Sequence, residues 1–196
     1  MASSTLVAVF LLSALTFYAP STTAQPVKDR SGNIVKNGGT FYILPSLLGA
    51  RGGGVRKLPT GDESFPLSVV RSPFKDDKGL PVTISALIQS TYLPEGAVSL
   101  SFEYTPKWTA VPGFPEGTLV KIDGYYPNPL IGSFYITKSI FGHKNSYNLF
   151  FCEIFVPPAC GNVTTVENDG NLLLAVTQES PYEFLLEPYL PTSADV

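Results

Sequence analysis

Short runs of β-forming residues, each bounded by turn-forming residues, recur along most of this chain: 40–44, 67–70, 82–87, 98–104, 119–122, 133–137, 147–155, 163–167, 172–176 and 184–186. Strand-length segments at this density predict an all-β barrel or sandwich. The 18 Pro and 17 Gly argue against long helices, and the 13 Phe and 10 Tyr suit a pleated, half-buried surface. One internal echo narrows the choice, because residues 39–49 (GTFYILPSLLG) and 132–142 (GSFYITKSIFG) match at most positions by residue type. Repetition of a strand unit predicts a pseudo-symmetric fold, whose third copy would centre on residues 98–102, where the echo is faint.

Residues 1–24 carry no Lys, Arg, Asp or Glu, and an apolar run from Leu6 to Tyr18 leads into Ala19, Pro20 and a string of small residues. This pattern predicts a secretory signal peptide, although a basic n-region is missing. The run falls short of the roughly 20 apolar residues a spanning helix needs, so a membrane anchor is not expected. The mature chain is expected to be one secreted domain, residues 25–196, monomeric and either extracellular or vacuolar.

A net charge of −3, with basic residues scattered singly or in pairs, gives no field that would gather phosphate backbones. Nucleic acid is therefore not an expected partner. His143 is the sole histidine and lies in a polar, turn-like stretch, and no Gly-x-Ser-x-Gly elbow occurs, so no hydrolase triad is expected. One histidine and two cysteines cannot supply a zinc site, and no cofactor is called for. Asp76 and Asp77 stand between Lys75 and Lys78 and read as a solvated turn. The run from Arg51 through three glycines to Val55 lacks the Gly-Lys-Ser/Thr ending of a phosphate loop and reads as a flexible connection. Nothing here argues for an enzyme.

Residues 27–44 (VKDRSGNIVKNGGTFYIL) place a turn, a Gly-Gly bend and a strand at fixed spacing. Asp29, Ser31, Gly32 and Asn33 close turns through side-chain hydrogen bonds or positive φ, and Gly38 and Gly39 precede the β-formers Thr40, Phe41, Tyr42 and Ile43. In order and spacing the segment resembles the amino-terminal signature of the plant Kunitz-type, soybean-trypsin-inhibitor-like family. Further blocks continue the likeness, at 51–56 (RGGGVR), 59–63 (PTGDE), 66–70 (PLSVV), 78–82 (KGLPV), 115–121 (PEGTLVK), 147–152 (YNLFFC) and 171–176 (NLLLAV). The resemblance implies a β-trefoil that inhibits an endopeptidase, usually a serine protease, with Asn37 supporting the inhibitory loop.

Two cysteines in a secreted chain, Cys152 and Cys160, most simply form one disulfide, free thiols being the alternative. They match the family's second, short-loop bridge, which on the chain-entropy model stabilises by about 2.5 kcal/mol. The family's first bridge is absent. Phe65 stands where its first half-cystine would be, and the segment that would supply the partner is missing between Tyr104 and Lys107. Asn162, Val163 and Thr164 form a glycosylation sequon, expected on an exposed turn.

Matching the segments 81–85 and 95–96 to the family implies an inhibitory loop within residues 85–93, comprising Leu87, Ile88, Gln89, Ser90 and Thr91. Gln89 falls in the specificity position and Ser90 follows the would-be scissile bond. A trypsin-type pocket carries a buried acid that Gln89 would leave unpaired, and no basic residue lies between Lys78 and Lys107. Strong trypsin inhibition is not expected, whereas Ile88 or Leu87, in a register shifted by one or two, would suit apolar pockets. Two rival readings are a storage or defence albumin without a protease target and a carbohydrate-binding trefoil stacking sugars on Trp108, Tyr125, Tyr126 and Tyr135.

Overall fold

The computed structural model describes residues 24–46, 52–140, 142–154 and 159–191, so the leader expected at residues 1–24 lies, apart from Ala24, outside the described residues. Twelve strands follow in order: β1 Gly39–Pro45, β2 Val55–Leu58, β3 Ser68–Arg71, β4 Val82–Ala86, β5 Gly96–Phe102, β6 Trp108–Phe114, β7 Gly117–Ile122, β8 Gly132–Lys138, β9 Tyr147–Glu153, β10 Cys160–Asn168, β11 Asn171–Thr177 and β12 Glu183–Pro188.

Six strands close into a ring, β12-β1-β4-β5-β8-β9, through antiparallel pairing of β12 with β9. Alternate side chains of every staved strand point inward, as a period of two requires: Phe41 and Ile43 from β1, Val82 and Ile84 from β4, Val98, Leu100 and Phe102 from β5. Phe134 and Ile136, Leu149 and Phe151, and Phe184 and Leu186 complete the buried set from β8, β9 and β12. Removing each such side chain from water stabilises by about 1.5–3 kcal/mol. The remaining strands form three hairpins, β2–β3, β6–β7 and β10–β11, whose inner strands β3, β7 and β11 pair with one another and cap one end of the ring. Val70, Leu119 and Leu173, one from each inner strand, pack together with Ala175 as a small second core. This is a β-trefoil, with four strands in each of three units.

All ten expected strands are present, and two more were not anticipated. The four-residue β2 (VRKL) carries only two apolar side chains, and β6 contains Pro112 and Gly113 at a bulge where the register with β7 shifts. Pro is tolerated at such an irregularity because no ladder hydrogen bond is asked of it. The echo between residues 39–49 and 132–142 also needs correcting. It links β1, first strand of the first unit, with β8, fourth strand of the second, so it marks a shared barrel-strand pattern and not equivalent positions in the repeat.

The glycines before β2 are not a flexible connection. Gly53 and Gly54 are buried and donate to the carbonyls of Ser72 at 2.7 Å and Asp77 at 2.8 Å. A Cβ on Gly54 would stand 2.0 Å from the Lys78 carbonyl oxygen, so only glycine lets these backbones meet. Asn162 is likewise not on a turn. It sits inside β10, paired with both Phe150 and Thr177, its Nδ2 donates to the Glu179 carbonyl at 2.8 Å, and Thr164 is buried. The disulfide between Cys152 and Cys160 joins the end of β9 to the start of β10, as expected. Where the first bridge of the family is lost, Phe65 packs edge-on against Tyr125 at 5.1 Å.

One ion pair locks the cap. Lys121 of β7 is 1% exposed, and its Nζ donates to Glu63 Oε1 and to Ser68 Oγ, both at 2.6 Å. Burial alone would raise the Glu63 carboxyl, but hydrogen bonds from Lys121, Tyr126, the Thr60 amide and Ser68 together outweigh it and hold the group below the usual carboxylate range. A carboxyl lowered on folding stabilises the fold above its unfolded value, and that contribution drains away as pH falls through the lower folded value. Glu63→Gln would leave the Lys121 ammonium buried without a counter-charge, which costs about 3–5 kcal/mol. Denaturant midpoints at pH 7 and pH 3 check this: the gap between the parent chain and Glu63→Gln is expected to be large at pH 7 and to narrow at pH 3, and an unchanged gap would contradict it.

Candidate inhibitory loop

The amino-terminal segment is folded before it reaches β1. Asp29 is buried, and its Oδ1 accepts the amides of Ser31 and Asn33, both at 2.9 Å, while Oδ2 accepts Asn33 Nδ2 at 3.0 Å. Side-chain acceptance two and four residues ahead is how Asp closes a turn. The Lys28 amide donates to the Tyr147 hydroxyl at 2.7 Å, and burial raises that phenol above its ordinary value, so it keeps its proton. At Gly38 the chain takes a positive φ of 73° and its amide donates to the Ile84 carbonyl at 2.9 Å, which turns Asn37 toward the end of β4.

Asn37 then spans the loop that joins β4 to β5. Its Oδ1 accepts the Ala86 amide at 2.7 Å, where the loop leaves β4. Its Nδ2 donates to the Ser90 carbonyl at 2.9 Å, and its own amide donates to the Thr91 carbonyl at 3.3 Å. One side chain, 53 positions away from Ser90, thus holds both limbs of the loop. The returning limb is fixed further: Ser90 Oγ accepts the Tyr92 amide at 3.3 Å, Leu93 donates to the Val35 carbonyl at 2.9 Å, and Val27 donates to the Leu93 carbonyl at 2.8 Å. Glu95 closes the series by donating its amide to the Gln25 carbonyl at 2.9 Å.

Between these anchors the chain faces solvent. Leu87 is 53% and Ile88 64% exposed, Gln89 and Thr91 are exposed, and Ser90 is half-buried above Asn37. Leu93 is wholly buried and pins the loop to the core. All five residues singled out in the sequence lie on one projecting segment, and Asn37 is beneath it. What the residue types did not disclose is the brace from residues 25–28 and 35–36, because it is made by backbone groups that carry no sequence signal.

The other candidates do not assemble a site. Trp108 is buried in the barrel core beside Phe102, Tyr126 donates its hydroxyl to Glu63, and Tyr135 stacks on Phe150 at 5.1 Å with 8° between planes. With Tyr125 against Phe65, these aromatics have separate partners and offer no common platform for a sugar. His143 is exposed in the turn between β8 and β9. Among the described residues no three His, Cys, Asp or Glu side chains are placed to hold a metal ion, and no helix is long and apolar enough to cross a membrane.

Comparison with known proteins agrees with this geometry. The Kunitz legume family model, described as trypsin and protease inhibitor, matches residues 27–187. Trypsin inhibitor A of Glycine max is 34% identical over 193 residues, covering 91% of this chain and 88% of that protein. The chymotrypsin inhibitor ECI of Erythrina variegata is 34% identical over 172 residues, covering 83% of this chain and 96% of that one. Soybean trypsin inhibitor in its complex with porcine pancreatic trypsin superposes with a TM-score of 0.74 at 33% identity, covering 84% of this chain and 99% of that one. The chain belongs to the Kunitz legume family of trypsin and protease inhibitors.

Proposed function

We propose that this protein inhibits a serine endopeptidase by seating residues 87–91 in the active-site cleft as a substrate would sit, with the bond between Gln89 and Ser90 at the catalytic serine. The observation that carries this reading is the double hydrogen bond of Asn37 to the Ala86 amide and the Ser90 carbonyl, beneath an otherwise solvent-facing segment. A loop held in advance loses little ordering entropy on binding, so its contacts are expressed as affinity. The same brace explains why the occupant would not be consumed. Attack by the protease's serine on the Gln89 carbonyl releases the Ser90 amine, and Asn37 keeps the Ser90 peptide unit in place, so the amine stays poised to return and reseal the bond.

The chemistry of the loop selects the target. Gln89 offers a neutral amide to the specificity pocket, flanked by the exposed aliphatic side chain of Ile88. Pockets without a buried acid, as in chymotrypsin-, elastase- and subtilisin-like enzymes, fit better than the trypsin pocket, whose acid would be left unpaired. The relatives named as trypsin and chymotrypsin inhibitors support a serine protease as partner. They do not favour the storage-albumin or carbohydrate-binding readings. The protein is read as acting as a secreted monomer, in keeping with its apolar leader.

Titration against trypsin, chymotrypsin, elastase, subtilisin and a papain-like protease is expected to give one-to-one inhibition of at least one of the non-tryptic serine enzymes and weak inhibition of trypsin. Indifference of all five, or inhibition that survives replacement of residues 87–90 by glycine, would overturn the reading. Gln89→Arg supplies the missing charge and is expected to tighten trypsin inhibition by about a thousandfold. Asn37→Ala removes two hydrogen bonds and is expected to cost about 1–3 kcal/mol of stability. It is also expected to turn the inhibitor into a substrate, seen as accumulation of chain cut within residues 87–91 during incubation with the target. Asn37→Asp, which retains the acceptor for Ala86 but loses the donor to Ser90, is expected to fall between the two.

A further inference from the structure

The tips of the three cap hairpins surround a cavity of about 520 Å³. The loop of residues 87–91 leaves the opposite end of the barrel, because β4 enters from the cap side and ends at Ala86. The cavity therefore lies on a face that a bound protease would leave open. Its volume falls within the range of small-molecule sites, about 300–1,000 Å³.

The lining has three parts. Leu67, Leu119 and Leu173 form an apolar floor where the hairpins meet, and the rings of Phe114 and Tyr126 stand over it as a wall. These two rings lie 6.0 Å apart and nearly perpendicular, at 79°. The rim is acidic: Asp62 comes from the β2–β3 loop and Glu116 from the β6–β7 turn, where Glu116 accepts the side-chain amide of Asn168 at the end of β10.

The charge balance decides what such a cavity can hold. Lys121 stands beside the lining, and it is spent: its Nζ is hydrogen-bonded to Glu63, Ser68 and Thr60 and lies 4.4 Å from the Phe114 ring centre. Three protons with three acceptors leave none to offer an anion. Lys121 and Glu63 cancel, whereas Asp62 and Glu116 meet no Lys or Arg among the lining residues. An entering molecule meets an apolar, partly aromatic interior below two uncompensated carboxylates.

We propose that this cavity binds a small cationic amphiphile, a flat apolar ring carrying a protonated amine on a short alkyl arm, with the ring over Leu119 and Leu173 beside Phe114 and Tyr126 and the ammonium at Asp62 and Glu116. A carboxylate on the same ring is refused by charge. The site is independent of the inhibitory loop.

The test uses three probes with one ring system, tryptamine, indole and indole-3-acetate, titrated into the isotope-labelled protein while backbone amide resonances are followed. Tryptamine is expected to give saturable shifts confined to the cap, at Gly61, Asn168 and Leu173, with half-saturation below about 1 mM. Indole is expected to bind at least about tenfold more weakly and indole-3-acetate not at all. The exposed-rim double variant Asp62→Asn, Glu116→Gln, which leaves the Lys121–Glu63 pair intact, is expected to weaken tryptamine by about tenfold while leaving protease inhibition unchanged. Absence of saturable shifts with tryptamine, equal binding of the three probes, or equal binding by the double variant would each overturn the proposal.

Discussion

The pairing of β12 with β9, Phe184 opposite Tyr147 and Glu183 opposite Asn148, is the contact on which the rest of this molecule depends. It turns a row of six antiparallel strands into a ring, removes the two exposed edges such a row would have, and encloses the alternate side chains as a single core. The first and last strands among the described residues then lie side by side along five registered positions, from Phe41 opposite Pro188 to Pro45 opposite Phe184. The segment ahead of β1 is fixed against that seam: the Arg30 amide donates to the Leu186 carbonyl at 2.8 Å, and Lys28 reaches Tyr147. Without closure the amino-terminal segment would have no floor, and Asn37 would have no fixed place from which to reach the loop.

Two kinds of polar contact do different jobs in this framework. At the open end, backbone groups and one amide side chain hold a loop whose own side chains contribute little to the core. At the capped end, the buried Lys121 is tied to Glu63 and Ser68, and Tyr126 donates its hydroxyl to the same Glu63 carboxylate, so loop, hairpin and turn are fastened at one point. A buried pair of this sort is weak evidence of added stability, since desolvation opposes attraction, but loss of either partner alone strands the other as a buried, uncompensated charge.

Much of the architecture was legible because barrel strands alternate. Every strand of the ring showed its inward residues as a period of two, and the turn residues marked the ends. The strands that escaped notice are those in which another requirement displaced that signal: β2 is too short and too charged to show a period, and β6 spends two of its seven positions on the Pro112–Gly113 irregularity. Gly52, Gly53 and Gly54 were misread for a related reason, since the same residue serves a slack linker and a backbone pressed against carbonyl oxygens. The site divided along the same line. Leu87 to Thr91 and Asn37 could be located by likeness to a known family, whereas the brace from Gln25, Val27 and Val35 runs through peptide groups that any residue would have supplied.

Because Leu87, Ile88 and Gln89 are held by their backbone and by a residue far away in the chain, their side chains are almost free of any duty to folding. The loop's outward surface and the fold's integrity are thus separately adjustable. A lineage built on this scaffold can vary three surface positions while the parts that keep the loop in shape remain untouched.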